Sequence, residues 1–302
     1  MDYLYYPGCS IKESGIAYEE SLTAIMDVLN SSLRELEDWN CCGATTCISV
    51  ESDEAIALAS RNLALAEKQS NNKGTVDLVT PCNACYLTLM RATHYLSERR
   101  NIADKVLPAL DKQGLHCDNR VRIRHPLDVL VNDVGVKTIS DHVRRKLTGL
   151  KVACYYGCQM VRPYATFDDP NRPTSMDQVM KALGAQPIDW SLKTKCCGAA
   201  LGSLLPDTGE QLCHDILKEA QKKGADVVVT GCPLCHFNLE TNQSAIRKRH
   251  SDFKTIPVAY FSQLMGLAFE LPPKTLGIQR LFIPLPSSLM AGAGKGGEYV
   301  TA

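Results

Sequence analysis

Ten of the 14 cysteines fall into two copies of one pattern: a lone cysteine, then Cys-Cys-Gly, then Cys-x-x-Cys. The first copy is Cys9, Cys41-Cys42-Gly43 and Cys82-Asn83-Ala84-Cys85. The second is Cys158, Cys196-Cys197-Gly198 and Cys232-Pro233-Leu234-Cys235. Each lone cysteine follows an aromatic pair, in Tyr5-Tyr6-Pro7-Gly8-Cys9 and Tyr155-Tyr156-Gly157-Cys158. Zinc takes four ligands, and two Cys-x-x-Cys pairs are its usual signature. A cubane iron–sulfur cluster also needs four cysteines. Five per copy is one too many for either. Two cysteines adjacent in sequence do not easily point at one tetrahedral ion, but they can serve adjacent irons of a larger or distorted cluster. The ligand count therefore favours an unusual polynuclear iron–sulfur centre, twice, over a zinc-stapled interaction protein. Gly43 and Gly198 remove a side chain where backbone would approach such a centre.

Composition agrees with redox or metal work. The chain has 302 residues, enough for two domains of about 150. It carries 33 basic and 33 acidic residues, which gives no electrostatic footprint for nucleic acid. No apolar run reaches the length of a membrane span, and Met1-Asp2-Tyr3-Leu4 lacks a charged leader region, so the chain reads as cytoplasmic. Structural disulfides are rare in that compartment, which leaves metal or redox chemistry for the cysteines.

The elements that must hold the cysteines alternate strand and helix. Asp2–Tyr6, Leu36–Trp39, Val76–Thr80 and Arg120–Arg124 read as strands in the first half. Leu22, Ile25, Met26, Leu29 and Leu33 form one helical stripe, and Ile56, Ala59, Leu63 and Ala66 another. The second half repeats the order with strands at Lys151–Tyr155, Pro187–Trp190, Asp226–Thr230 and Lys254–Val258, the last matched to Arg120–Arg124. A helix closes at Gly184, and Thr208 with Gln211 suggests a capping box for the next. This predicts an α/β fold of two pseudo-symmetric Rossmann-like domains from internal duplication, with cysteines at the carboxyl ends of strands. The expected limits are 1–148 and 149–286, with a flexible tail at 287–302. Helices starting after Cys82 and Cys232 would aim N–H groups at the sulfurs.

The two complete five-cysteine sets, together with Cys232-Pro233-Leu234-Cys235-His236, resemble the cysteine-rich CCG domain of the heterodisulfide reductase B subunit over nearly the whole chain. The resemblance implies two domains related by pseudo-symmetry, each binding a noncubane [4Fe-4S] cluster in which smaller iron–sulfur units are fused. Carried over by position, the first cluster would use Cys9, Cys41, Cys42, Cys82 and Cys85, and the second Cys158, Cys196, Cys197, Cys232 and Cys235. Cys154 competes with Cys158. Cys158 is chosen because Tyr-Tyr-Gly-Cys aligns with Tyr-Tyr-Pro-Gly-Cys, and because 37 residues then precede Cys196, against 31 between Cys9 and Cys41 and 41 from Cys154. In the first half 39 residues separate Cys42 from Cys82, against 34 between Cys197 and Cys232, and the extra length is expected at Asn71–Lys73.

The implied activity is that of the catalytic member of a heterodisulfide-reductase-type complex. It reduces a disulfide, in methanogens the coenzyme M–coenzyme B heterodisulfide, to two thiols between two noncubane clusters. The implied partners are the small cubane iron–sulfur subunit and the flavin subunit of such a complex. Similar domains occur in lactate-utilisation and glycolate oxidase iron–sulfur subunits and in an unusual succinate:quinone reductase. An iron–sulfur electron-transfer component of a dehydrogenase or quinone reductase complex is the alternative.

His236, next to Cys235, could donate a proton to a thiolate product or hydrogen-bond a cluster sulfur. Arg162 could bind an anionic substrate by charge-assisted hydrogen bonds. Lys193 and Lys195 read as solvated charge, and His125 as a satisfied packing histidine. Cys47, Cys117, Cys154 and Cys213 read as bystanders. No glycine-rich nucleotide loop sits between a strand and a helix, so flavin or nucleotide chemistry must come from a partner.

Overall fold

The computed structural model describes residues 1–70, 74–201 and 204–290. Two four-stranded sheets carry the chain. The first comprises β1 (Asp2–Tyr5), β2 (Ser32–Glu35), β3 (Val76–Val79) and β4 (Val121–Arg124) in the order β2-β1-β3-β4. The second comprises β5 (Lys151–Tyr155), β6 (Gln186–Pro187), β7 (Val227–Thr230) and β8 (Val258–Tyr260) in the order β6-β5-β7-β8. Every pairing is parallel, and the two orders are the same order twice. The predicted α/β duplication is the observed architecture. Parallel sheets need helices on both faces, and β7 shows it as a run of four buried residues, Val227-Val228-Val229-Thr230. The edge strand β2 is instead exposed along Ser32, Arg34 and Glu35, with charged side chains that discourage pairing with another chain.

Among the described residues three hydrophobic cores form. One outer core packs Ile56 and Leu63, from the helix Ser52–Gln69, against Leu89 of the helix Asn83–Glu98. Its counterpart packs Ile216 and Leu217, from Pro206–Lys222, against Leu239 of Pro233–Thr241. The third lies between the sheets and draws on both halves: Tyr18, Ile25 and Met26 from Ile16–Val28 meet Leu264 and Met265 from Phe261–Ala268. The sheets divide between Arg124 and Lys151, but this shared middle layer binds the halves into one body.

Several boundaries differ from the sequence reading. The helix Ile16–Val28 stops before Leu33, which lies in β2. β2 precedes the expected Leu36–Trp39. Leu36 N–H still donates to Tyr5 O at 2.8 Å, and Trp39 turns onto Tyr6, edge to face with ring centroids 5.6 Å apart. β6 is only Gln186–Pro187. β8 begins at Val258, after Pro257, whose missing N–H cannot join the ladder. Its register makes Ala259, not Val258, the counterpart of Arg124, since Val79 pairs with Arg124 and Val229 with Ala259. His125 therefore corresponds to Tyr260. Thr208 caps nothing: the helix starts at Pro206, and Gln211 bonds Asp215 instead. The stretch expected as a tail begins with a short helix, Ser287–Met290, whose Leu289 is buried and accepts a hydrogen bond from Arg145. The rest of that tail, and the Asn71–Lys73 loop, lie outside the described residues.

Candidate metal centre

One cysteine follows the end of each of four strands. β1 runs through Gly8 to Cys9, β3 through Pro81 to Cys82, β5 through Gly157 to Cys158, and β7 through Gly231 to Cys232. Cys82 and Cys232 occupy the N-cap positions of Asn83–Glu98 and Pro233–Thr241. The exposed helix-terminal N–H groups thus face the sulfurs, as expected.

The vicinal pairs are held by a tyrosine device that the spacing left hidden. Tyr6 Oη donates to Asn40 O at 2.8 Å, and Tyr155 Oη to Lys195 O at 2.6 Å. Asn40 precedes Cys41, and Lys195 precedes Cys196. Tyr6 and Tyr155 are therefore counterparts, and the three-residue step from each reaches Cys9 and Cys158. The strand register agrees, because it pairs Tyr5 with Val79 and Cys154 with Val229. Cys154 is thus the counterpart of Tyr5. It is fully buried in the middle core beside Asp177, and Cys158 is the residue equivalent to Cys9.

The thiols form a chain of contacts. Cys42 Sγ lies 3.2 Å from Cys85 Sγ, and Cys197 Sγ 3.6 Å from Cys235 Sγ. The thiols of Cys9, Cys41 and Cys42, of Cys82 and Cys85, of Cys158 and Cys196, and of Cys232 and Cys235 lie near enough to shift one another's ionisation. The Cys82 and Cys232 thiols act on one another in the same way across the halves, where Asn83 Nδ2 donates to Tyr156 O at 2.9 Å. Among the described residues no three His, Cys, Asp or Glu side chains converge as they would on a single ion. The arrangement is two lines of sulfur meeting at one joint.

Burial grades each line. Cys42, Cys82, Cys85, Cys197, Cys232 and Cys235 are buried, whereas Cys9, Cys41 and Cys196 are exposed. Two of the exposed thiols, Cys41 and Cys196, are acidic. Hydrogen bonds from Cys42 and then Cys9 pull Cys41 far below the ordinary thiol range, while the same contact pushes Cys42 up to about 12. Cys196 falls to about 6 through its hydrogen bond with Cys158, the Gly198 N–H at 3.3 Å, and the charges of Lys195 and Arg162. At the joint, burial opposes ionisation of Cys232. Hydrogen bonds from Cys235 and Cys82 and the N–H groups of Cys235 and Asn83 nevertheless hold it low. Thiolate is the form that binds metal.

The glycines test whether the space suits a sulfur-rich group. A Cβ on Gly8 would stand 2.7 Å from Cys85 Sγ, and one on Gly157 3.1 Å from Cys235 Sγ. Both sets keep a side-chain-free wall against a ligand-type sulfur. Gly43 and Gly198 are different. Their added Cβ would meet Ala55 Cα and Gly209 Cα, each at 2.9 Å, so these glycines admit a neighbouring helix and not a cluster, contrary to the sequence reading.

The remaining candidates divide. The exposed Arg162 donates to Thr194 O and sits close enough to Cys196 to depress its pKa. Lys193 is not solvated: its Nζ lies 2.7 Å from Asp177, which also accepts from Tyr156 Oη. His236 is buried, and its ring nitrogens face Val258 O at 3.0 Å and Glu240 Oε2 at 3.7 Å. Its ring stacks on Tyr260, 4.1 Å away. Burial drops its pKa to about 4. With both nitrogens turned from the thiols, it is not placed to hand them a proton. His125 is a satisfied packing histidine, facing Gly231 O at 3.2 Å and accepting from Leu127 N–H at 3.2 Å. Cys213 lies closer to the site than a bystander should: its Sγ is 3.3 Å from Cys197 O. Asn238, missed in the sequence, bonds Cys197 O at 2.7 Å and Cys213 Sγ at 3.2 Å. Its position one helical turn below Cys235 was the available signal.

A duplicated parallel α/β scaffold with a five-thiol set at each strand-end face defines a class of cysteine-rich metal-binding protein. The profile of the CCG cysteine-rich domain matches twice, at residues 3–90 and 152–240, and the chain belongs to that family. It is 33% identical over 279 residues to the membrane anchor subunit of the 8-methylmenaquinol:fumarate reductase of Wolinella succinogenes, covering 92% of this chain and 95% of that one. It is 29% identical over 278 residues to the B subunit of the ferredoxin:CoB-CoM heterodisulfide reductase of Methanosarcina mazei, covering 90% of this chain and 91% of that one. A protein of Archaeoglobus profundus, named as like the heterodisulfide reductase B subunit, is 30% identical, with 92% and 94% covered. Among solved structures, a hypothetical protein from Helicobacter pylori shares the fold, with a TM-score of 0.74 at 13% identity. The match covers 95% of this chain and spans about half, 52%, of that one. Among the described residues no helix is long and apolar enough to cross a membrane.

Proposed function

We propose that this chain is the disulfide-reducing member of a heterodisulfide-reductase-type complex, with a noncubane [4Fe-4S] cluster held by each five-cysteine set. The reading is carried by one observation: two topologically equivalent five-cysteine sets come together where Asn83, next to Cys82, donates to Tyr156 O of the other half at 2.9 Å. Cys9, Cys41, Cys42, Cys82 and Cys85 would hold one cluster, and Cys158, Cys196, Cys197, Cys232 and Cys235 the other. Such clusters supply electrons one at a time. The reaction adds two electrons and two protons to a disulfide, breaks its S–S bond and releases two thiols.

The chain's own residues fit that work. The open ends at Cys9–Cys41 and Cys158–Cys196 give access from solvent. Arg162, exposed beside Cys196, would anchor an anionic end of the substrate. The buried ends exclude water from the joint. Electrons would arrive from a small cubane iron–sulfur protein fed by a flavoprotein of the same complex. Anaerobic purification should return roughly eight irons per chain, and turnover of a mixed disulfide with reduced viologen should depend on them. Stoichiometric zinc with little iron would overturn the reading.

A second reading has its own support, the 33% identical relative named as part of a menaquinol:fumarate reductase. On that reading the chain passes electrons between a quinol and a dehydrogenase partner. Reoxidation of the reduced centres by a quinone, with no disulfide turnover, would favour it.

A further inference from the structure

Among the described residues, six buried side-chain atoms near Cys82 and Cys232 have no hydrogen-bond partner: the hydroxyls of Tyr5, Tyr18, Tyr260, Thr80 and Thr230, and Asn83 Oδ1. Thr80 and Thr230 each stand two residues before a joint cysteine, and Asn83 follows Cys82 directly. The three phenols come from separate elements: the end of β1, the helix Ile16–Val28, and the turn from β8 into Phe261–Ala268. Their exposures are 3%, 0% and 0%, so solvent does not reach them. Nor can Tyr18 and Tyr260 swing away. Tyr260 is stacked on Tyr18 at 4.5 Å and 8°, and on His236 at 4.1 Å. Tyr18 is further wedged edge to face against Phe261 at 5.7 Å.

A buried hydroxyl without a partner is destabilising, and native interiors rarely keep one. Strand register places these residues at the joint: Tyr260 pairs with Thr230, two residues before Cys232, Tyr5 pairs with Val79, three residues before Cys82, and Tyr18 stacks on Tyr260. The Cys82 sulfur acts on all three phenols, although the Glu19 and Glu35 carboxylates weigh more on Tyr5. Contrast Tyr6, Tyr155 and Tyr156, whose hydroxyls all find protein acceptors.

We propose that Tyr5, Tyr18 and Tyr260 are positioning residues that donate hydrogen bonds to the sulfurs at the Cys82–Cys232 joint when the iron–sulfur centres are in place. The proposal rests on the cluster reading above. A donor aimed at a cluster sulfur stabilises the reduced, more negative form and raises the reduction potential. The three phenols thus make the two centres easier to reduce at the point where they come together. Removing a donor shifts the potential downward while leaving all ten cysteines untouched. In the metal-free protein the same hydroxyl only costs stability, so its removal has the opposite sign there.

The test uses Tyr18→Phe, Tyr260→Phe and Tyr5→Phe, purified anaerobically beside the parent. Iron content, reduction potential by titration monitored with electron paramagnetic resonance, and the melting temperature of the iron-free form are measured on each. The expected result is parental iron, a more negative potential, and an iron-free melting temperature equal to or above the parent's. Tyr6→Phe, which deletes a partnered hydroxyl, should lower that melting temperature. Parental iron with an unmoved potential in all three variants overturns the proposal while sparing the cluster reading. A parent protein without iron overturns both.

Discussion

Gly8→Ala separates what the backbone requires from what the metal centre requires. Gly8 has φ +72° and ψ +162°, a region essentially reserved for glycine in which a side chain costs about 1–3 kcal/mol. The new Cβ would also sit 2.7 Å from Cys85 Sγ. A free thiol can rotate off, losing its 3.2 Å contact with Cys42 and adding about 0.5–1.5 kcal/mol of rotamer strain. A metal-bound sulfur cannot rotate. Gly114 is the control, with φ +66° and nothing within 4 Å of its added Cβ. Denaturant unfolding of the iron-free proteins should therefore show a loss of about 1–2 kcal/mol for Gly114→Ala and about 1.5–4.5 kcal/mol for Gly8→Ala. Anaerobic iron analysis should show parental content for Gly114→Ala and loss of one centre for Gly8→Ala. Gly157→Ala, with its Cβ at 3.1 Å from Cys235 Sγ, should fall between them. Full iron retention in Gly8→Ala, or an equal iron loss in Gly114→Ala, would refute the reasoning.

Cys42→Ala and Cys197→Ala should each lose or convert one centre, seen by electron paramagnetic resonance, with an unchanged α/β circular dichroism spectrum; an unchanged cluster signal in both overturns the ligand assignment. Cys154→Ala should leave both signals intact, because its thiol sits in the middle core. Tyr155→Phe removes the donor to Lys195 O and should cost about 1 kcal/mol of stability, with the second centre perturbed more than the first. Burial holds His125 at about 4, below its ordinary 6.5. The unfolded chain then binds the extra proton, so stability is lost as pH falls from about 6.5 to 4, by roughly 3 kcal/mol. His125→Phe should flatten that limb of the unfolding profile. Burial raises Glu240 to about 7, and its contribution is lost as pH rises from 4.5 through 7. Glu240→Gln should therefore make stability rise more steeply with pH in that window.

The cysteine pattern was legible in the sequence because ligand chemistry is local: vicinal pairs and Cys-x-x-Cys spacing are fixed by chain connectivity. So was the α/β duplication, since strand runs such as Val227–Thr230 and helix stripes such as Ile216 and Leu217 carry their periods in a few residues. Tertiary structure decided the rest. The Tyr-Tyr-Gly-Cys alignment favours Cys158 over Cys154, and strand register, which reverses every side chain with a one-residue shift, makes Cys154 the counterpart of Tyr5. Gly43 and Gly198 acquired their reason from helices more than ten residues away in the chain. His236, adjacent to Cys235, turned away because a helix sends consecutive residues to different faces. Above all, no spacing showed that Asn83, beside Cys82, reaches Tyr156 of the other half, or that Tyr18 stacks on Tyr260. That contact depends on how two sheets pack through one shared core, and packing between distant segments leaves no period in the sequence to read.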